Sequence, residues 1–326
     1  MKDVSVKGKA KLGKLLDDYL LERTINENDL ARKISYLKKN YEFLDENDNK
    51  LVIEEKLYNH FYKQEKSIEF FLRGLEKKFY QLYFSIYKIY LIQEIITSIL
   101  NKSLEDNYKN FINSPFFEGM ELLPNFSLND FVNSIKDNHI KRVLEPFLNE
   151  NMDQDELIFL SSNALIKLYY RALLKISEKF PNSEYKHINK YLAEEINLLN
   201  FEMLYRLKSF FEINNNEVFN YLIEGGYLFN AERLREISNL NKEEFIEYFS
   251  DGRYKNIFED ENLVYKRIQD KRWKNSRDEI INDNCDILYV VSAINLLYLD
   301  IKNIVSILEM DEKYDYNQKR ELLIGR

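Results

Sequence analysis

The sequence predicts an all-α protein, and three observations carry that prediction. Apolar residues recur at helical spacing almost throughout the chain. No strict alternation of apolar and polar residues lasts long enough for a strand. With 8 glycines and 4 prolines in 326 residues, the chain lacks the turn formers of a β-sandwich or a loop-rich α/β enzyme.

Taken in order, Leu12, Leu15, Leu16, Tyr19 and Leu20 form a first apolar stripe, and Leu30, Ile34 and Leu37 form a second. Phe71, Leu72, Leu75, Phe79, Leu82, Ile86 and Ile89 hold one face of a predicted long helix. Gly74 sits inside that pattern, so alanine is expected to replace it without loss. Asp29, Asn129 and Lys242 each open a short amphipathic segment, and the first two are good capping types. The most apolar run, Ile287 to Leu299, is 13 residues between Asp286 and Asp300. A second, Leu82 to Leu100, is broken by Lys88, Gln93 and Glu94. A membrane span needs ~18 or more residues with few charges, so both are read as buried helices.

Self-comparison adds a repeat. "NDLARKISYLKKNYEFL", "NDFVNSIKDNHIKRVL" and "EEFIEYFSDGRYKNIF" share an acid, a large apolar residue and a short helix, with Leu30, Phe131 and Phe245 aligned 101 and 114 apart. A later block reads "YLIQEIITSIL", "LNFEMLYRLKSF" and "LDIKNIVSIL", and aligning Leu91, Asn200 and Asp300 gives spacings of 109 and 100. The expectation is three helical-bundle repeats, over residues 1–114, 115–224 and 225–326. Ser114-Pro115 and Pro124 mark the first junction. Gly225 and Gly226, the chain's one Gly-Gly, mark the second as a stop and a turn.

Charge and chemistry exclude several functions. A net charge of −8 argues against a nucleic-acid partner. Only residues 1–105 are net positive, with 19 Lys/Arg against 17 Asp/Glu. The opening "MKDVSVKGKAKLGK" holds five lysines, which suit an acidic partner, lipid headgroups or simply a solvated helix start. The lone Cys285 forms no internal disulfide and the sequence shows no secretory apolar segment, so a reducing cytoplasm is expected. Nothing matches a phosphate loop, so no ATP hydrolysis, cofactor or catalytic residue is expected. Glu184 and His187 share a helix face, but a di-iron bundle needs two such motifs, so no metal is expected. Cys285 opens an apolar helix and reads as a small core residue. The many aromatics at helical spacing read as core, not as base-stacking platforms.

Three stretches carry a family resemblance. "VFNYLIEGGYLF" resembles a "YLIPGG.L" segment of the C-type central-stalk subunits of V/A-type rotary ATPases (the d-type subunits of eukaryotic V-ATPases), with Glu224 at the proline position. "AINLLYLDIKNIVSILEMDEKYDYNQKRELLIGR" is similar to that family's ending, and "GKLLDDYLLERTINENDL" to its entry. Departures are Leu91 in repeat one, and Met203 in repeat two where repeat three has Asn303. The resemblance implies a funnel of three bundles about a pseudo-threefold axis, lying on the cytoplasmic face of the membrane rotor (proteolipid) ring and receiving the central shaft. The implied role is a non-catalytic central-stalk coupling subunit for ion transport, peripheral on the inner face of the cell membrane. The rival reading is a helical-repeat scaffold that binds protein segments in a groove.

Asp300 and Asn303, one turn apart, either line the funnel or hydrogen-bond inside the bundle, the commoner fate of buried polar groups. Arg206 and Lys302 lie on the same repeated element and are open to both readings.

Overall fold

A computed structural model describes residues 2–13, 15–148, 152–210, 215–226, 230–310 and 314–325. Among these the chain is all-α, with no strand. The first quarter holds α1 (Lys2–Leu12), α2 (Asp18–Ile25), α3 (Leu30–Leu37) and α4 (Lys50–Glu69). Then come α5 (Gly74–Phe84), α6 (Ile86–Leu100), α7 (Leu104–Asn113), α8 (Leu128–Ser134), α9 (Asn138–Leu144) and α10 (Gln154–Ser177). The long α11 (Asn182–Phe210) leads to α12 (Asn215–Tyr221), α13 (Ala231–Asn239) and α14 (Lys242–Tyr248). The chain closes with α15 (Val264–Asn282), α16 (Asp286–Glu309) and α17 (Tyr316–Glu321).

By packing, these helices form two compact units: Met1–Leu72 with Asn182–Arg326, and Arg73–Pro181. This grouping by contact is a different partition from the sequence repeat, and it runs across the boundaries at 114 and 224. In the first unit α16 is the central element, packed on α1, α4 and α15. Its apolar residues are buried nearly all round, which suits a helix enclosed by others. In the second unit α10 packs on α5, α6 and α9. Phe79 and Phe180 meet edge-on at 5.6 Å there, and the Tyr169 hydroxyl donates to the Tyr83 carbonyl at 2.6 Å.

The expected elements hold in part. Ile34 and Leu37 are fully buried on α3, and the Asp29 side chain accepts the Arg32 N–H as its cap. The other two starts are corrected. Ser127, not Asn129, caps α8, and Asn241, not Lys242, caps α14. Each forms a capping box with the acid three residues on, Asp130 and Glu244, satisfying two end N–H groups at once. Phe131 and Phe245 therefore both stand four residues after their caps, buried, whereas Leu30 directly follows Asp29.

The first stripe is not one helix. α1 ends at Leu12 and α2 begins at Asp18, capped by Asp17, so Leu16 and Leu20 are buried while Tyr19 is exposed. The predicted long helix also breaks at its start. α4 ends at Glu69, and Gly74 takes a left-handed φ of 55° at the entry to α5. That conformation, open to glycine and costly for alanine, overturns the mid-helix reading of Gly74. Beyond it, only Ser85 separates α5 from α6, and its own φ and ψ are helical.

Two described helices are long and apolar enough to cross a membrane. One is α16, 72% buried over its most apolar window, as expected for the Ile287–Leu299 run. The other is α10, 39% buried, which periodicity alone did not flag.

Candidate functional site

The polar side chains of interest gather on α16 and on its counterpart α11. Asp300 is buried, and its Oδ2 accepts the Leu16 N–H at 3.0 Å and the Tyr41 hydroxyl at 3.2 Å. Burial, then the Asp300 charge, push the Tyr41 phenol far above its ordinary range, so it stays a proton donor. Two turns on, Lys33 of α3 donates to the Ile307 and Met310 carbonyls at 2.8 and 3.3 Å, closing the C-terminus of α16. Burial, then the neighbouring Lys319 and Lys50, lower the Lys33 pKa. Lys208 does the same service for α13, donating to the Ser238 carbonyl at 2.9 Å and to that of Leu240.

Asn303 makes a two-pronged contact. Its Nδ2 donates to the Ile324 carbonyl at 3.0 Å, and its Oδ1 accepts the Ile324 N–H at 2.8 Å. Asn200 of α11 does the same with Ile223, at 2.8 Å for both bonds. Both amides are buried. In each case a long helix grips the segment that follows a short one, α12 or α17. The structural partner of Asn303 is therefore Asn200, 103 residues earlier, so the alignment of Asn200 with Asp300 is corrected by one helical turn.

Gly225 and Gly226 follow the first clamp directly. Gly225 has a left-handed φ of 106°. Gly226 does not, but a Cβ there would sit 2.3 Å from Oδ1 of the buried Asn197. Neither ends a helix, since α12 stops at Tyr221; one turns the chain and the other admits close approach. Tyr227, Leu228 and Phe229, the rest of this motif, lie outside the described residues.

The structure thus brings Asp300 and Asn303 together inside the first unit, each with internal partners. Arg206 is exposed on α11. Lys302 is half-buried, its ammonium 3.0 Å from the Tyr265 hydroxyl and 5.7 Å from the centre of the Tyr298 ring. Sequence reasoning missed Lys33, Tyr41 and Asn197. The only available signal was a lone polar residue amid apolar neighbours, which names no partner.

Of the chemistry weighed earlier, Cys285 is buried at the start of α16, and burial pushes its thiol up to about 11, far from a reactive thiolate. Among the described residues no group of three or more His, Cys, Asp and Glu side chains is placed to hold a metal.

What these features define is an all-helical protein whose conspicuous polar groups tie its own helices together. The model of the ATP synthase (C/AC39) subunit family matches residues 4–320, and the chain belongs to that family, a component of V/A-type ATP synthases. A search of the curated proteins finds no match to the chain.

Proposed function

We propose that the chain is the non-catalytic central-stalk coupling subunit of its complex, joining the rotating shaft to the membrane rotor ring. The observation that carries this reading is the family match from residue 4 to 320. In this reading the protein is peripheral, on the cytoplasmic face of the cell membrane. Its three repeats stand about a pseudo-threefold axis as a funnel whose mouth receives the shaft. The element order supports the repeat, since short helices precede two long stretches and a closing short helix three times: α3 to α7, α8 to α12, and α14 to α17. The matched clamps of Asn200 and Asn303 support it for the last two rounds.

The physical demand on such a part is torsional stiffness, because torque lost to internal slip drives no ion. Close-packed interiors transmit strain, and buried hydrogen bonds at helix ends keep neighbouring helices from sliding. Lys302 and Arg206 are the side chains we assign to partner contact, being among the polar groups of the repeated element that reach the surface. The test is purification of a tagged chain from its native cells with mass spectrometry of what accompanies it. Shaft and rotor-ring subunits should co-purify, and membranes lacking the chain should hydrolyse ATP without pumping ions. Recovery of unrelated proteins with no rotary subunit would sink the reading.

A further inference from the structure

The end of α4 and the face of α1 beside it form an exposed surface. Phe70 caps α4 by donating its N–H to the Lys66 carbonyl at 3.3 Å. Phe71 and Leu72 continue the turn onto Ile68 and Glu69, and Leu72 is buried. The turn is therefore pinned, yet Phe70 is 69% exposed and Phe71 39%. The two rings meet edge-on at 5.5 Å, and the Lys7 ammonium of α1 lies 5.1 Å from the centre of Phe71. Val6, beside Lys7, is 61% exposed, and Lys9 is exposed as well.

Gly8 accounts for how α1 is presented. A Cβ at Gly8 would come 3.0 Å from the Tyr289 ring, so α1 lies close on α16 along that side. Val6, two residues back, falls on the far side of the helix. The charge is one-sided too. α1 reads KDVSVKGKAKL, four lysines to one aspartate. At the end of α4, Lys66 lies 2.8 Å from Glu69 and 3.6 Å from the buried Glu65.

We propose that this patch binds a bilayer surface containing anionic lipids. Phe70 and Val6 enter the boundary between headgroups and acyl chains, while Lys7 lies against the phosphates; the Lys9 ammonium turns the other way, 5.9 Å from the centre of the Tyr289 ring. The pairing of outward aromatic and aliphatic side chains with lysine is what such a boundary rewards. The inference stands on the patch alone. Vesicle binding by the purified chain and its recovery with rotary subunits are separate measurements, and either can fail without the other.

The test is sedimentation of the full chain with vesicles of phosphatidylcholine, alone or mixed with phosphatidylglycerol. Binding should be confined to the mixed vesicles and should fall as salt rises. The variant Lys7→Glu should bind at least about fivefold more weakly, the loss expected for one surface charge removed. Phe70→Ser should lose about tenfold through its lost apolar burial, with an unchanged thermal midpoint because most of the ring already faces solvent. No sedimentation with either vesicle, equal sedimentation with both, or variants that match the parent would each overturn the proposal.

Discussion

The two amide clamps use the same bonds on different surroundings. Asn200 holds Ile223 and Asn303 holds Ile324, each through one donated and one accepted hydrogen bond. After Ile223 the chain passes Gly225, at φ 106°, and then Gly226, which lies under the Asn197 amide. After Ile324 it passes Gly325, at φ 71°, whose N–H donates to Asp270 at 2.7 Å. A Cβ on Gly325 would sit 2.4 Å from the Trp273 indole. One clamp is thus seated on a small polar side chain and the other on a large rigid ring. The two clamps share the bonds that satisfy a buried backbone and differ in the wall behind them.

The largest effect is expected from the clamps themselves. Asn303→Ala and Asn200→Ala each strand a buried N–H and a buried carbonyl, costing about 3 kcal/mol. Their costs should add within about 0.5 kcal/mol in the double variant, because the sites share no partner. Urea titration of the single and double variants measures this, and strong non-additivity would break the picture of two independent clamps.

Next come the walls. Gly325→Ala and Gly226→Ala should each cost about 2 kcal/mol, by a left-handed φ and an indole clash at one and an amide clash at the other. Pairing Gly226→Ala with Asn197→Ala should restore part of the loss, since shortening that side chain opens the space. No comparable rescue is expected at Gly325, where φ remains left-handed. Rescue at both sites, or at neither, would erase the distinction drawn above.

Neither amide titrates, so pH probes the rest of the fold. Burial, partly opposed by Lys66 and reinforced by Glu69, pushes Glu65 of α4 up to about 7. A folded pKa above the unfolded value means the native state binds the extra proton, so stability falls as pH rises from about 4.5 through 7. Calorimetry at pH 5 and 8 should show a loss on the order of 2 kcal/mol, absent in Glu65→Gln. Asn303→Ala should keep the parent's slope. The smallest effect is Gly74→Ala, at about 1 kcal/mol, where the cost is backbone conformation alone because a Cβ there meets nothing within 4 Å.

Much of the helical content was legible, because burial of one helix face imposes a period that composition cannot hide. Ile34, Leu37 and the Ile287–Leu299 run were placed correctly for that reason. The breaks were not legible. Phe71 and Leu72 continue the apolar spacing across a turn, and only the φ of Gly74 shows that the chain changes direction there. The clamp frame slipped for a related reason. Residues three or four apart share a helix face, so Asp300 and Asn303 were equally good matches for Asn200. What a buried polar side chain grips depends on a segment some twenty residues away, and periodicity carries no information over that distance.

The pairing of Asp300 with Leu16 and Tyr41 also fixes an order of events during synthesis. Those bonds join residues 284 and 259 positions apart, and the unit Arg73–Pro181 is made in between. A ribosome adding ~5–20 residues per second needs tens of seconds to cover that separation. Throughout that interval Tyr41 and the buried Lys33 await groups not yet translated, while the intervening unit becomes whole once Pro181 is made. The opening helices are therefore the first part made and among the last to gain their buried polar partners.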